Sequence, residues 1–237
     1  MRKVVFASLA GIFLAGSVAA QENKTETIEG NGKLVTRDVP VSSFESLKAG
    51  GVYELKLSQG NKETVKIEAD ENLQQYFTVR NDGNKLVIDM EKLKNKSLNN
   101  KSKMKVYVTF KNLKELELST VGNVASDDQL AFGDLDLKNR SVGNVDLRMT
   151  VNKLDMKNSS VGNVKLSGKA QDAVVKNTGV GALQAGNFVV QTMNIENTGV
   201  GSAEVNAEKG LKVKDSFLGK VKNKGNAPVR KMNKVRV

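Results

Sequence analysis

Val142-Gly143-Asn144-Val145 recurs as Val161-Gly162-Asn163-Val164, and four related phrases stand at similar intervals in the second half of the chain. The central glycines lie 21, 19, 19, 20 and 18 residues apart: Gly122, Gly143, Gly162, Gly181, Gly201 and Gly219. A period of about 20 residues is typical of a solenoid, in which each repeat stacks on the next. Such a molecule presents long repeated surfaces, which favour binding over one deep catalytic pocket.

Aligning the repeats on these glycines shows further columns of shared residue type. Four residues before the glycine stand Asn139, Asn158, Asn177 and Asn197, with Asp215 in the last repeat. Apolar residues stand six before, one before and two after it. In a stack of rungs about 4.8 Å apart, apolar columns fill the interior, so the valine before each glycine is expected inside. We expect the asparagines to turn left-handed corners and stack their amides, and the glycines to permit the next corner.

These patterns predict an all-β protein built as a right-handed parallel β-helix, a β-solenoid with rungs of about 20 residues that are regular from about residue 116. The stretch before it has alternating apolar and polar runs bounded by turns, which indicates more irregular β structure. The two prolines, Pro40 and Pro228, lie outside the repeats, as continuous backbone ladders require. A leucine-rich repeat remains the competing fold, although the segments between the repeats are too short and polar for a helix each.

The N-terminal sequence predicts export. Met1-Arg2-Lys3 is basic, residues 4–15 are largely apolar, and Val18-Ala19-Ala20 offers small residues for cleavage. Residues 1–20 are therefore interpreted as a secretory signal peptide, with an uncleaved anchor as the alternative. The polar residues 21–37 are expected to form a flexible leader, and residues 38–237 a single domain. No later segment is apolar for long enough to predict a transmembrane helix.

Composition restricts the chemistry further. The 237 residues include no cysteine, histidine or tryptophan, and 37 Lys and Arg against 26 Asp and Glu give a net charge of +11. Disulfides, Ser-His-Asp or Cys-His nucleophile systems and His- or Cys-ligated zinc are excluded, so we expect no cofactor and no enzyme. The positive charge favours an anionic partner such as acidic polysaccharide, lipopolysaccharide phosphate or a membrane surface. Few aromatic residues are available for base stacking, so nucleic acid is not expected.

One column of the aligned repeats is a candidate binding site. Five residues before the glycine stand Lys138, Lys157, Lys176 and Lys214, interrupted by Glu196. Stacked at rung spacing, the four lysines would form a basic stripe able to track an anionic polymer. Exposed strand positions are also commonly lysine, so an ordinary solvated face is the alternative reading of the same column.

One cluster of acids is a candidate for catalysis, because some β-helix proteins process polysaccharides with paired carboxylates or calcium. Asp127-Asp128, Asp134 and Asp136 fall in the longest segment between glycines. No neighbouring repeat contains the same cluster. We therefore expect solvated acids flanking a corner rather than a catalytic site.

The chain from about Asp38 to Val237 resembles the auto-transporter adhesin, head GIN domain family of exported bacterial proteins, frequent in Bacteroidetes. The resemblance rests on Arg37–Leu47, Gly51–Gly60, Val65–Leu73 and Gly83–Ile88, followed by the glycine phrases. Where the family repeats Gly-Ser-Gly-Asp/Asn-Ile/Leu, this chain has Ser-Val-Gly-Asn-Val, at Ser141–Val145 and Ser160–Val164. The resemblance implies an exported β-helix with an adhesin-like role, and it brings no catalytic residues.

Together these observations predict a non-catalytic, adhesin-like binding module of the cell envelope or surface, in the periplasm, attached to the outer membrane or extracellular. Two alternatives stay open at this stage. One is a polysaccharide-processing enzyme on the same scaffold, and the other is a structural envelope module that assembles into a homo-oligomer through its strand edges.

Overall fold

The computed structural model describes residues 26–99 and 103–232, and about two thirds of these residues lie in β-strands. The predicted signal peptide and residues 21–25 of the leader lie outside these ranges. The strands, in chain order, are β1 (Glu26–Glu29), β2 (Leu34–Val39), β3 (Ser46–Val52), β4 (Glu54–Gln59), β5 (Thr64–Asp70), β6 (Thr78–Asp82), β7 (Lys85–Asp89), β8 (Lys96–Asn99), β9 (Lys105–Phe110), β10 (Glu115–Val121), β11 (Val124–Ser126), β12 (Leu130–Asn139), β13 (Val145–Asn158), β14 (Val164–Asn177), β15 (Leu183–Asn197), β16 (Ala203–Asp215), β17 (Val221–Asn223) and β18 (Val229–Lys231). Two short 3-10 helices span Glu71–Tyr76 and Glu91–Leu93.

The second half of the chain is a parallel β-solenoid, as predicted. Strands β12 to β16 pair in sequence order, and all of these pairings are parallel. The register places Asn139 beside Asn158, Asn158 beside Asn177, and Asn177 beside Asn197. Because the segments between the glycines are strands and not helices, the leucine-rich repeat reading is wrong. About six turns stack in this way, counting from β3 and β4.

The rungs do not all follow chain order. Strands β3 and β4, which are joined by Tyr53, form one rung on which β10 and β11 stack in parallel. On the opposite side of that rung, β7 stacks on β3 and β9 stacks on β4. The rung made of β7 and β9 comes later in the chain than the rung made of β3 and β4, yet it lies nearer the N-terminal end of the stack. This insertion explains why the region before residue 116 has no regular period.

Antiparallel strands close the N-terminal end of the stack. Strand β5 pairs antiparallel with β9 and with β2, while β6 pairs antiparallel with β7. Parts of the expected leader, residues 26–29 and 34–37, lie in strands β1 and β2. Strand β1 pairs parallel with β8, and β2 extends the sheet by pairing antiparallel with β5 from Leu34 to Val39. The described part of the leader is thus a structural part of the domain.

The core consists of apolar columns that run through the rungs. The residues two after each glycine are buried: Val124, Val145, Val164, Leu183 and Ala203. The residues six before it are buried as well: Leu116, Leu137, Met156, Val175, Ile195 and Val213. Rungs of nearly constant length keep these side chains above one another, so the interior is one continuous hydrophobic cluster.

The valines before the glycines are not part of this core, which corrects the expectation from the sequence. Five of these valines are between 49% and 52% exposed and form a ladder of backbone bridges on the outside of the corner: Val121, Val142, Val161, Val180 and Val200. Alternation along the strand is the reason. Asn158 and Ser160 point inward, so Val161 must point outward.

The glycines, rather than the asparagines, adopt the left-handed backbone at the corner. Gly122, Gly143, Gly162, Gly181 and Gly201 have φ between +131° and +146°, whereas the only described non-glycine residue with positive φ is Asn95. A Cβ atom on Gly162 would overlap the carbonyl oxygen of Gly143, because the rungs pack backbone against backbone there. Glycine is therefore required both for conformation and for space.

Two asparagine ladders run beside these corners. Inside, Asn139 Nδ2 donates to Asn158 Oδ1 at 2.8 Å, and the same bond repeats to Asn177 and Asn197 at 2.6 Å each. Outside, the backbone N–H of Asn144 donates to Asn123 Oδ1 at 3.0 Å, and that of Asn163 to Asn144 Oδ1 at 3.0 Å. The predicted amide stacking is confirmed, and it occurs in the interior. Buried amides need such partners because water cannot reach them.

Candidate ligand-binding face

Three of the four predicted lysines lie together. The register pairs Lys138 with Lys157 and Lys157 with Lys176 on neighbouring strands β12, β13 and β14. Glu196 follows Lys176 on β15 and separates it from Lys214 on β16. The stripe predicted from the sequence therefore consists of three adjacent lysines and one that stands apart.

Strand alternation holds these lysines on the surface. Met156 and Asn158 are buried on either side of Lys157, and Val175 and Asn177 flank Lys176 in the same way. Since successive side chains of a strand point to opposite faces, the buried neighbours fix both lysines toward solvent. The core columns and the inner asparagine ladder thus position the face.

The two ends of the lysine column are neutralised by acids. Lys138 Nζ lies 3.0 Å from Glu115 Oε1 and 3.3 Å from Asp136 Oδ2, and the hydrogen bond to Glu115 is the main reason that the pKa of Lys138 is raised. At the other end, Lys214 Nζ lies 2.8 Å from Glu196 Oε1. These two ammonium groups already have anionic partners within the protein.

The centre of the column has no such partners. Lys157 and Lys176 are exposed, and neither forms a salt bridge with any residue in the ranges 26–99 and 103–232. Their positions are directly opposite in register, about 4.8 Å apart along the stack. An anion placed between the two ammonium groups would relieve their mutual repulsion. The centre is therefore the part of the column with free capacity for an anionic ligand.

A column of hydroxyl groups beside these lysines was not singled out from the sequence. Ser159 and Thr178 stand two residues after Lys157 and Lys176 and are exposed on the same face. The signal was present, because the position three residues before each glycine reads Ser119, Arg140, Ser159, Thr178, Thr198 and Ser216. We call Lys157, Lys176, Ser159 and Thr178 together the central lysine face. It offers two cations, the Ser159 hydroxyl as donor or acceptor, and the Thr178 hydroxyl as acceptor, because Thr178 Oγ1 already donates to the Asn158 carbonyl oxygen at 3.3 Å.

Among the described acids, Glu115 has the most strongly shifted pKa. Ser46 Oγ donates to its Oε2 at 2.8 Å, Lys138 Nζ lies 3.0 Å from its Oε1, and Lys85 Nζ lies 3.4 Å away. These contacts, with the Ser46 hydrogen bond the largest, lower the pKa of Glu115 from 4.5 to about 2. An acid that stays ionised and paired in this way stabilises the fold and is unsuited to proton transfer near neutral pH.

The candidate acid cluster is divided among separate contacts. Asp127 lies 3.6 Å from Lys56 Nζ in the turn between β11 and β12, and Asp134 accepts a hydrogen bond from Asn152 at 3.1 Å. Asp136 is paired with Lys138. Across the described residues, no group of three or more acids has an arrangement that could hold a metal ion. None of the helices in the described ranges is long and apolar enough to cross a membrane.

Comparison with known proteins identifies the family. The family model described as "Putative auto-transporter adhesin, head GIN domain" matches residues 43–227. The chain belongs to this family. Most of the parallel stack, from the loop before β3 to the turn before β18, lies within the matched range. No curated protein matches the chain.

Solved structures support the same assignment. A putative adhesin from Bacteroides fragilis is 30% identical, with a TM-score of 0.73, and the match covers 86% of this chain and 100% of that one. A putative adhesin from Parabacteroides distasonis is 22% identical, with a TM-score of 0.59, over 87% and 96% of the two chains. A putative lipid binding protein from the same species is 19% identical, with a TM-score of 0.58, over 88% and 100%. At these lower identities, the latter two show the fold alone.

Proposed function

We propose that this chain is a non-catalytic, adhesin-like module exported to the cell envelope or surface, and that its central lysine face binds acidic polysaccharide. The family description supports the adhesin-like role, and the predicted signal peptide supports export. The observation that most supports the binding site is the pair Lys157 and Lys176. They are adjacent, exposed and without an ionic partner among the described residues.

The regular register of these lysines fits a polymer better than a small anion. Lys138, Lys157 and Lys176 span two rung steps, about 10 Å along the stack. Small ligands are usually bound in concave pockets, which bury most of their surface. A polyanion can instead contact several cations of an open face at once, and the hydroxyls of Ser159 and Thr178 would add hydrogen bonds to it.

The polysaccharide-processing alternative receives no support from the acids. Asp127, Asp134 and Asp136 are each engaged in a separate contact, and Glu115 remains ionised with three partners. A carboxyl that donates a proton near neutral pH requires a raised pKa, the opposite of the shift at Glu115. We therefore expect an acidic polysaccharide incubated with the protein and calcium to keep its chain length, measured by size-exclusion chromatography.

The binding proposal is tested with Lys157→Gln/Lys176→Gln against wild type, using heparin and polygalacturonate as probes at two salt concentrations. Loss of two cations from the contact should weaken binding about tenfold at the lower salt concentration, and added salt should weaken wild-type binding. The matched control is Lys62→Gln/Lys94→Gln, which removes the same charge from exposed positions elsewhere. Equal loss in both variants, or no salt-sensitive binding by wild type, would contradict the proposal.

A further inference from the structure

The positive charge of the chain is concentrated at one end of the solenoid. Residues 209–232 contain eight basic residues and one acid, whereas the whole chain has a net charge of +11. Three of the eight are paired, through Lys214–Glu196, Lys224–Glu204 and Lys231–Asp215. The others form no salt bridge within the described ranges: Lys209, Lys212, Lys220, Lys222 and Arg230. This end therefore has a strong local excess of unpaired cations.

Two large apolar side chains project from the same end. Phe217 is 87% exposed and Leu218 is 60% exposed, more than any other large hydrophobic residue described. Leu218 stands directly before Gly219, as the exposed valines stand before the earlier glycines. Phe217 occupies a position that holds small buried residues in the earlier rungs: Thr120, Ser141, Ser160, Gly179 and Gly199. Since that column has no room for an aromatic ring, Phe217 faces solvent.

The turn that presents these residues, Ser216–Lys220, is held by hydrogen bonds. Gly219 N donates to Ser216 Oγ at 3.0 Å, and the Leu218 carbonyl oxygen accepts from Gly201 N at 3.1 Å. Val221 N donates to Asp215 Oδ2 at 3.3 Å. The exposed pair thus lies on a turn fixed to the last full rung, and no described strand stacks beyond β17 and β18.

We propose that this end of the solenoid docks on a lipid surface that contains anionic headgroups. Phe217 and Leu218 would enter the interface, while Lys220, Lys222 and Arg230 would lie among the headgroups. Burial of apolar side chains together with attraction of cations to anionic lipid is the combination that holds peripheral proteins on membranes. A polysaccharide partner would satisfy the cations but leave the phenyl ring in water, so the lipid surface accounts for both features. The site is distinct from the central lysine face and does not depend on it.

The absence of tryptophan from the chain permits a site-specific test. In Phe217→Trp, the only indole reports the environment of the turn. Mixing with phosphatidylglycerol vesicles should shift its emission to shorter wavelength, while phosphatidylcholine vesicles should give little shift. The control is Val142→Trp, at a half-exposed corner four rungs away, whose emission should stay unchanged. No shift at position 217 with anionic vesicles would overturn the proposal.

Vesicle sedimentation separates the two contributions. Phe217→Ser/Leu218→Ser should weaken binding to phosphatidylglycerol vesicles at least about tenfold, and Lys220→Gln/Lys222→Gln should reduce the preference for anionic over zwitterionic lipid. All proteins retain the same N-terminal sequence, so residues 1–20 contribute equally. Unchanged circular dichroism and urea midpoint would show that the folds are intact.

Two other occupants give different results. A second copy on the same surface would shift the emission of Phe217→Trp with protein concentration and without vesicles, accompanied by an increase in mass in light scattering. An acidic polysaccharide alone would bind without changing the emission. Either outcome, without an effect of anionic vesicles, would overturn the assignment to lipid. Loss of the lipid effect would leave the heparin assay on the central lysine face unaffected, so the two proposals fail separately.

Discussion

Asn158 occupies the middle of the inner ladder, where every polar atom of its side chain has a partner. Its Nδ2 donates to Asn177, and its Oδ1 accepts from Asn139 Nδ2 and from Ser160 Oγ at 2.9 Å. An amide can donate to one neighbour and accept from the other along the same row, which a carboxylate cannot do. The ladder therefore fixes the register of neighbouring rungs, because a slip by one residue would remove the amides from their partners.

Asn158→Asp should destabilise the protein by about 3 kcal/mol at neutral pH, since the carboxylate cannot donate to Asn177 and places a charge in the interior. Urea unfolding followed by circular dichroism measures the change. The control is Asn187→Asp, which makes the same chemical change at an exposed position. Equal stability of the two variants would show that the ladder does not stabilise the fold.

Gly162 and Gly133 form a second matched pair. Gly162 has φ of +131°, and a Cβ there would overlap the backbone of the previous rung, whereas a Cβ on Gly133 meets nothing within 4 Å. Gly162→Ala should cost roughly 3 kcal/mol or more, while Gly133→Ala should stay within about 1 kcal/mol of wild type. Thermal unfolding measures both. Similar melting temperatures would contradict the close packing of the corner.

At this scale, the repeat predicted the role of the glycines and the stacking of the asparagine amides. It did not predict on which side of the corner the valines lie. A column of identical β-branched residues satisfies strand propensity whether it faces in or out, so identity alone does not give direction. Here the polar Ser160 is buried and the apolar Val161 is exposed, which reverses the usual preference of apolar residues for the interior. Alternation counted from Asn158 would have given the correct side.

Among the elements, Glu115 connects four strands that are distant in the chain. Its partners Ser46, Lys85 and Lys138 belong to β3, β7 and β12, while Glu115 itself begins β10. These strands belong to successive rungs at the point where the irregular part of the fold meets the regular part. The side chain is 29% exposed, so solvent screens the contacts only in part.

This cluster predicts a pH dependence of stability. The pKa of Glu115 is lowered from 4.5 to about 2 in the folded protein, so its contribution is fully present above about pH 4.5 and is lost as the pH falls toward 2. Glu115→Gln should therefore be less stable than wild type by about 1–2 kcal/mol at pH 6, and the difference should vanish near pH 2. Urea midpoints across this range measure it.

Ser46→Ala provides the second arm of that experiment. It keeps the carboxylate but removes the hydrogen bond that contributes most to the lowered pKa. Its loss of stability on acidification should therefore be smaller than that of wild type and be complete at a higher pH, while the pH at which the loss begins, set by the unfolded pKa, stays the same. If the difference in unfolding free energy between wild type and Glu115→Gln stays constant from pH 6 to pH 2, the assigned pKa is wrong.

The order of the rungs was beyond prediction from the sequence. The alternating runs before residue 116 indicated strands, but nothing local in β7 or β9 shows that they stack outside β3 and β4. Such long-range pairing depends on which unpaired edge each strand meets, and a period-two pattern fits either edge. In the regular part each strand pairs with the next in sequence, so the repeat was sufficient there.

For the whole molecule, the two ends of the stack are closed in different ways. Antiparallel strands β2, β5 and β6 cover the N-terminal end. At the C-terminal end, the three-residue strands β17 and β18 pair with β16. Short, charged strands protect an edge against pairing with another chain, and Pro228 beside β18 cannot donate a backbone hydrogen bond there. At the C-terminal end, the last strands therefore offer only short edges to another chain.

Deletion of residues 216–237 should turn this end into an association site. It removes β17 and β18 and leaves β16, a strand of 13 residues, with an unpaired edge. Long exposed edges pair with other strands, so light scattering should show an average mass that rises with concentration more steeply than for the full chain. Lys220→Gln/Lys222→Gln, which lowers the charge but keeps β17 and β18, serves as the control. If the truncated protein and this control scatter alike, edge protection by the last strands is refuted, because exposure of β16 would then have no consequence.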